Sequence, residues 1–220
     1  MAEGSEDTSR LNNSQLFSYG LTEMPLAMAA TPMALFIAPF YTRDLGLSLA
    51  AVGTILMLAR ISDVVTDPLI GQLSDRTRTR IGRRKPWVLL GAPLMLIAVW
   101  KLFVPTAPVT NFYFGFWLIT LWLGWTFIGI PFYAWGAELS TNYHERTRIA
   151  SIRTGLGIVG TLVAIVVPLI TGFFLGYGYD IDQSLHVVAI CSTVFLFVAA
   201  VLLWRVPEGK PIETQRISAM

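Results

Sequence analysis

Six apolar stretches follow one another along the chain, at roughly 21–42, 49–72, 87–106, 111–136, 154–177 and 185–204. Segments of about 20 apolar residues are long enough to cross a bilayer core as helices, so an all-α membrane protein, a six-transmembrane-helix bundle, is expected. Composition agrees: charged residues make up 14% of the chain and mean hydropathy is +0.60. Soluble domains carry roughly 25% charged residues.

Charge placement orients the bundle. Arg10, the run Arg76, Arg78, Arg80, Arg83, Arg84 and Lys85, then Arg146, Arg148 and Arg153, and Arg205, Lys210 and Arg216 fall on one side. They are thirteen of the sixteen Lys and Arg; Arg43 and Lys101 fall opposite and Arg60 lies within a span. By the positive-inside rule both termini are cytoplasmic, which places the chain as a multi-pass protein of the cell (inner) membrane. The first sixteen residues are polar, carry Glu3, Glu6 and Asp7, and lack the pattern of a signal peptide. Cys191 is the single cysteine, so no disulfide framework or thiol metal cluster is expected.

The second apolar stretch contains Arg60, Asp63 and Asp67, spaced three and four apart and so on one helix face, with Thr66 at its edge. Leu49 to Asp63 is about 21 Å of helix, past mid-membrane towards the cytoplasm. A charge in hydrocarbon costs from about 3 to more than about 10 kcal/mol, and such acids mark ion or substrate paths. Two carboxylates and a hydroxyl are hard oxygen ligands for Na⁺ or Li⁺, or a proton-accepting pair. The competing reading is a buried Arg–Asp pair that fixes packing, but two acids against one Arg leave a charge over. Glu23 and Lys101 lie near opposite faces and are expected to snorkel or cap.

Prolines punctuate the spans (Pro25, Pro32, Pro39, Pro68, Pro93, Pro131 and Pro168), each tending to kink its helix. Gly155, Gly157 and Gly160 are expected to ease helix approach. Pro39-Phe40-Tyr41 recurs as Pro131-Phe132-Tyr133, and Val52-Gly53-Thr54 as Val159-Gly160-Thr161, in the order expected of two inverted three-helix units. Past Pro68 comes a basic loop in which Gly71 permits close packing and Asp75 sits among Arg76, Arg83 and Arg84, a cluster able to hold and release one conformation. Nucleic-acid binding is excluded by its tether between two membrane spans.

Asp63-x-x-x-Asp67-Pro68-x-x-Gly71-x-x-x-Asp75-Arg76-Thr77, followed by Gly82-Arg83-Arg84-Lys85-Pro86-Trp87, closely resembles the signature of the glycoside–pentoside–hexuronide:cation symporters of the major facilitator superfamily. Ser18-Tyr19-Gly20, Gly46-Leu47-Ser48, Ile130-Pro131-Phe132 and Glu145-Arg146-Thr147-Arg148 with Arg153 are similar to the family as well. The resemblance runs from about 17 to about 205 and implies one six-helix half of a twelve-helix carrier, built as a 3+3 inverted repeat. It implies alternating access, with a sugar, glycoside or uronide driven by Na⁺, Li⁺ or H⁺ and no other cofactor. It also implies a cation site of Asp63, Thr66, Asp67 and Thr126; a substrate cavity bearing Arg60, Trp125, Gly129, Tyr133 and Arg153; and a gating loop of Gly71, Asp75, Arg76, Gly82, Arg83 and Arg84.

Two departures qualify that expectation. The family's sugar-binding aspartates of the first and fourth helices are matched here by Ala27 and Gly129, leaving Trp125, Tyr133 and Trp135 as stacking surfaces. The length corresponds to the N-terminal half alone: a tail (1–16), a six-helix unit (17–205) and the start of a central loop (206–220). Lipid, a sugar-like substrate and a second six-helix half are the expected partners. Carriage of a non-sugar amphiphile, or service as a non-transporting half-length partner protein, are the alternatives. No nucleophile–base pair or phosphate loop points to an enzyme.

Overall fold

The computed structural model describes residues 11–106, 108–174, 176 and 180–208. Arg10, Lys210, Arg216, the tail acids and the predicted span end at 177 lie outside the described residues. Among the described residues every regular element is a helix, with one isolated bridge between Thr79 and Gly82.

The first span is broken into α1 (Asn13–Gly20), α2 (Glu23–Leu35), α3 (Ile37–Pro39) and a π-helical turn (Phe40–Asp44), with a bend of 51° after Leu35. Proline chemistry accounts for both interruptions. Pro39 has no N–H for the Leu35 carbonyl and Pro25 none for that of Leu21, and the breaks fall at those carbonyls. Helix therefore begins at Asn13, inside the stretch read as tail to residue 16. Gly46, at φ +76°, turns the chain, and the Ser48 hydroxyl accepts the Ala51 N–H at 3.2 Å to start the next helix.

Five unbroken helices follow, each long and apolar enough to cross a membrane: α4 (Leu49–Arg76), α5 (Lys85–Phe103), α6 (Asn111–Glu138), α7 (Tyr143–Phe174) and α8 (Ile181–Leu203). α4 runs through Pro68 to Arg76, and α7 starts at Tyr143, well before the predicted 154. Hydropathy stops where charge begins, whereas helix continues as long as its polar side chains find water or partners.

α2 packs along α7, and α6 along α4; α2 also meets α8, and α6 meets α5. Exchanging the first, second and third spans for the fourth, fifth and sixth maps these pairings onto one another, as a 3+3 inverted repeat requires. Small residues set the closest approaches. A Cβ at Gly91 would lie 2.8 Å from the Gly124 carbonyl, and one at Gly124 would lie 2.7 Å from the Met95 nitrogen. Gly160 packs on the Met24 backbone and Gly157 on Glu23, whereas Gly155 faces open space. Gly71 departs from expectation: a Cβ there would make an ordinary 3.7 Å contact with Ile130, so no close packing depends on it.

Tyr19 and Phe132 stack at 4.5 Å, and Tyr41 meets Phe114 at 4.2 Å; these rings tie the first span to α6. Both hydroxyls donate to main-chain carbonyls, of Phe132 and Leu102, at 3.0 Å. Burial is uneven. Only 11% of the most apolar window of α4 and 17% of that of α7 is buried, against 33–44% for α5, α6 and α8. The two most open helices carry the charged residues Arg60, Asp63, Asp67 and Arg153.

Candidate functional site

The α4–α5 and α6–α7 turns, Leu11 and the segment after α8 meet at one end of the bundle, here called the basic end. Away from it, α4 and α6 enclose a cavity of about 290 Å³ lined by Ala30, Arg60, Asp63, Asp67, Trp122, Trp125 and Thr126. The Thr126 hydroxyl donates to Asp67 Oδ1 at 2.9 Å. Arg60 reaches Asp63 at 3.5 Å, and its guanidinium lies 3.7 Å over the Trp122 ring. That side chain is 63% exposed. Helical spacing thus delivers two carboxylates, and α6 supplies the hydroxyl. Thr66, half-buried on α4, is not among the lining residues. Among the described residues no group of three or more His, Cys, Asp or Glu is placed to hold a metal ion.

A second polar cluster joins α2, α6 and α7. Glu23 does not snorkel: it lies beside Arg153, whose Nε is 3.9 Å from Oε2, and the Tyr133 hydroxyl donates to its Oε1 at 3.0 Å. Its Oε2 is buried and makes no hydrogen bond. The correction is one of depth. The first span begins at Asn13 rather than 21, which carries Glu23 into the bundle, and Arg153 sits ten residues into α7 rather than before it. The Arg153 guanidinium lies 4.8 Å from the Tyr133 ring, and Tyr133 meets the edge of Trp125 at 6.2 Å. Gly129 lies under that indole, where a Cβ would come within 3.1 Å of the ring, and the Trp125 Nε1 is buried without a partner. Ala27 is one turn from Glu23 on the same face of α2. An acid two residues ahead of Pro25 in the first span, with Arg153 directly before the apolar stretch of a later one, was the available signal for this pair.

At the basic end the charges are closely paired. The Arg84 guanidinium meets Glu138 and Asp75 at 2.6 Å each and donates to the Ser74 hydroxyl at 2.9 Å, while Arg83 reaches the other Glu138 oxygen at 2.7 Å. Burial of Arg84 would lower its pKa, but the Glu138 and Asp75 carboxylates outweigh that and hold it above the ordinary arginine value. Arg76 is exposed and takes no part. Gly82, at φ +118°, shapes the turn. Glu145 accepts the Leu11 N–H at 3.1 Å and pairs with Arg148, and Arg146 donates to the carbonyls of Ser140 and Ala137 at the end of α6. Sequence reasoning found the arginines of this network but missed Glu138, the acid that Arg83 and Arg84 share.

Comparison with known proteins identifies the family. The chain is 32% identical over 170 residues to an uncharacterized symporter of Synechocystis, covering 73% of this chain and 31% of that protein. It is 34% identical over 158 residues to a putative glycoside/cation symporter of Escherichia coli, covering 70% and 34%. With the isoprimeverose transporter of Lactiplantibacillus pentosus it shares 27% identity over 194 residues, covering 84% and 40%. The chain thus spans about a third of the length of the curated relatives it matches. A family described as MFS/sugar transport protein matches residues 18–212. With six spans in an inverted repeat and most of its length matched, the chain is a multi-pass membrane protein that belongs to the MFS/sugar transport protein family.

Proposed function

We propose that the chain forms the N-terminal six-helix half of a cation-coupled symporter for a sugar, glycoside or uronide, working by alternating access. The observation that carries this reading is the 2.9 Å bond from Thr126 to Asp67, which sets an α6 hydroxyl beside the two α4 carboxylates in one cavity. A pair that served packing alone would be matched in charge and shielded from solvent. Here two acids face a single, mostly exposed Arg60. Asp63, Asp67 and Thr126 hold the coupling Na⁺, Li⁺ or H⁺, and Arg60 neutralises Asp63 when the cation leaves. Substrate binds in the adjoining space, where Glu23 and Arg153 offer an acceptor and a donor, and Trp125 and Tyr133 offer ring faces for stacking.

The open faces of α4 and α7 pack against a second six-helix half, consistent with relatives about three times the matched length. By the positive-inside rule the basic end faces the cytoplasm of the cell, in the inner membrane. Ala27 and Gly129, which leave the family's sugar acids absent, favour a second reading in which the cargo is a non-sugar amphiphile.

Vesicles holding the chain together with a second half test both readings. Asp63→Asn and Asp67→Asn each abolish uphill accumulation of a glycoside while leaving downhill exchange intact. Accumulation at the wild-type level in both variants would reduce the acids to packing. Uptake of an amphiphile with none of any glycoside would replace the first reading by the second.

A further inference from the structure

α5 starts without a cap of its own. Its N-cap is Arg84 and its first residues are Lys85 and Pro86; no side chain caps it from the N-cap position, and its first turn holds no acid. α4, α6 and α8 are each capped locally, by Ser48, Thr110 and Asp180. A helix start leaves backbone N–H groups unmatched and concentrates partial positive charge, so an uncapped start beside arginines lacks an anion.

The anion comes from the far end of the chain. Glu208, beyond α8, accepts the Arg83 N–H at 2.5 Å, the Arg84 N–H at 3.1 Å and the Lys85 N–H at 3.0 Å. Pro86 has no N–H, so this one carboxylate takes every amide ahead of the proline in that turn. Gly82 makes the arrangement possible, because its φ of +118° aims the next amides together and a Cβ there would strike the Glu208 carboxylate. The approach is secured on both sides. Trp135 Nε1 donates to the Pro207 carbonyl at 3.1 Å, Val206 is buried, and Lys85 Nζ lies 5.7 and 5.8 Å from the Trp135 and Trp204 rings.

The amides that Glu208 holds belong to the residues whose side chains grip Glu138. We infer that Glu208 is the remote N-cap of α5 and a positioning residue for the Arg83–Arg84–Glu138 network. It fixes the backbone from which both guanidinium groups reach, so a displacement of the segment leaving α8 is transmitted to that network. A local Ser or Asp cap would have to stand where Arg84 stands, which explains why the cap is supplied from elsewhere.

The test uses the full 220-residue chain in lipid nanodiscs, with Cys191→Ala and Ser74→Cys as background; Ser74 is buried and bonded to Arg84. In Glu208→Ala, hydrogen exchange of the peptide holding amides 83–85 is expected to rise by about tenfold or more, as charge-assisted bonds are lost. Maleimide labelling of the thiol introduced at position 74 should rise with it, also by about tenfold, while exchange within α6 is unchanged and Glu208→Asp restores both readouts. If Glu208→Ala does not fold, Glu208→Gln keeps an acceptor oxygen in place and a rise of about threefold is expected. Unchanged exchange in the variant that folds would overturn the cap. Faster exchange with unchanged labelling at position 74 would overturn the positioning role.

Discussion

At the basic end a nearly buried Arg84 meets Glu138, Asp75 and Ser74 within 2.9 Å, while within α4 Asp63 meets Arg60 at 3.5 Å through a side chain 63% exposed. Both clusters combine carboxylates, arginine and a hydroxyl, and both join α4 to α6. The first is closed: charges are matched, distances are short and the partners come from three elements. The second is open: Asp63 meets a mostly exposed arginine at 3.5 Å, and Asp67 accepts from Thr126 in the same cavity. Matched charge fixes a structure, and unmatched charge in a span is retained for something that comes and goes. The comparison separates what holds the bundle from what we propose is offered to a ligand.

It breaks most visibly through Glu138→Ala. Removing the acid shared by Arg83 and Arg84 takes the carboxylate from Arg83 and leaves the buried Arg84 guanidinium with Asp75 and Ser74 alone, and unfolding in mixed micelles should become easier by about 2–3 kcal/mol. Asp63→Asn should change it by less than about 1 kcal/mol, because its partner Arg60 is mostly exposed and such a pair contributes little. Equal losses at both ends would erase the distinction.

Packing sharpens the same contrast. Gly124→Ala forces a methyl against the Met95 backbone in the tight α5–α6 contact, and a loss of about 2 kcal/mol is expected. Gly71→Ala lies on the loosely held α4, between the two clusters, with room at 3.7 Å; differential unfolding should find it near neutral.

The last contrast concerns the restraint on Arg60. Trp122→Leu removes the ring on which its guanidinium rests; the exposed cation–π contact accounts for about 0.5–1 kcal/mol of the cost, and lost packing of the buried indole adds to it. The freed arginine then competes better for Asp63. Cation titrations should show weaker apparent binding than wild type, and unchanged binding would mean the ring does not restrain Arg60.

How much of this was legible varied with the physics involved. Apolar length located all six spans, because hydrocarbon admits few alternatives, and helical spacing put Asp63 and Asp67 on one face. Depth was less legible. The first span and α7 begin at polar residues, Asn13 and Tyr143, so counting from the first apolar residue misplaced Glu23 and Arg153 along the bundle. Partners across the chain were least legible: nothing near Arg84 in sequence announces Glu138, and nothing near Lys85 announces Glu208. Gly71 and Thr66 show the reverse, since sites named for their place in a motif make neither the close contact nor the cavity lining expected of them.

The central claim is that the α4 acids form an open cation site, and its most direct test is the unfolding midpoint of the chain titrated with Na⁺, Li⁺ and protons against choline. A ligand at about a hundred times its Kd stabilises by about 2.7 kcal/mol. The account predicts a saturable rise with at least one of the three ions that is absent in Asp67→Asn. A wild-type chain indifferent to all three, or a rise that persists in Asp67→Asn, would contradict it.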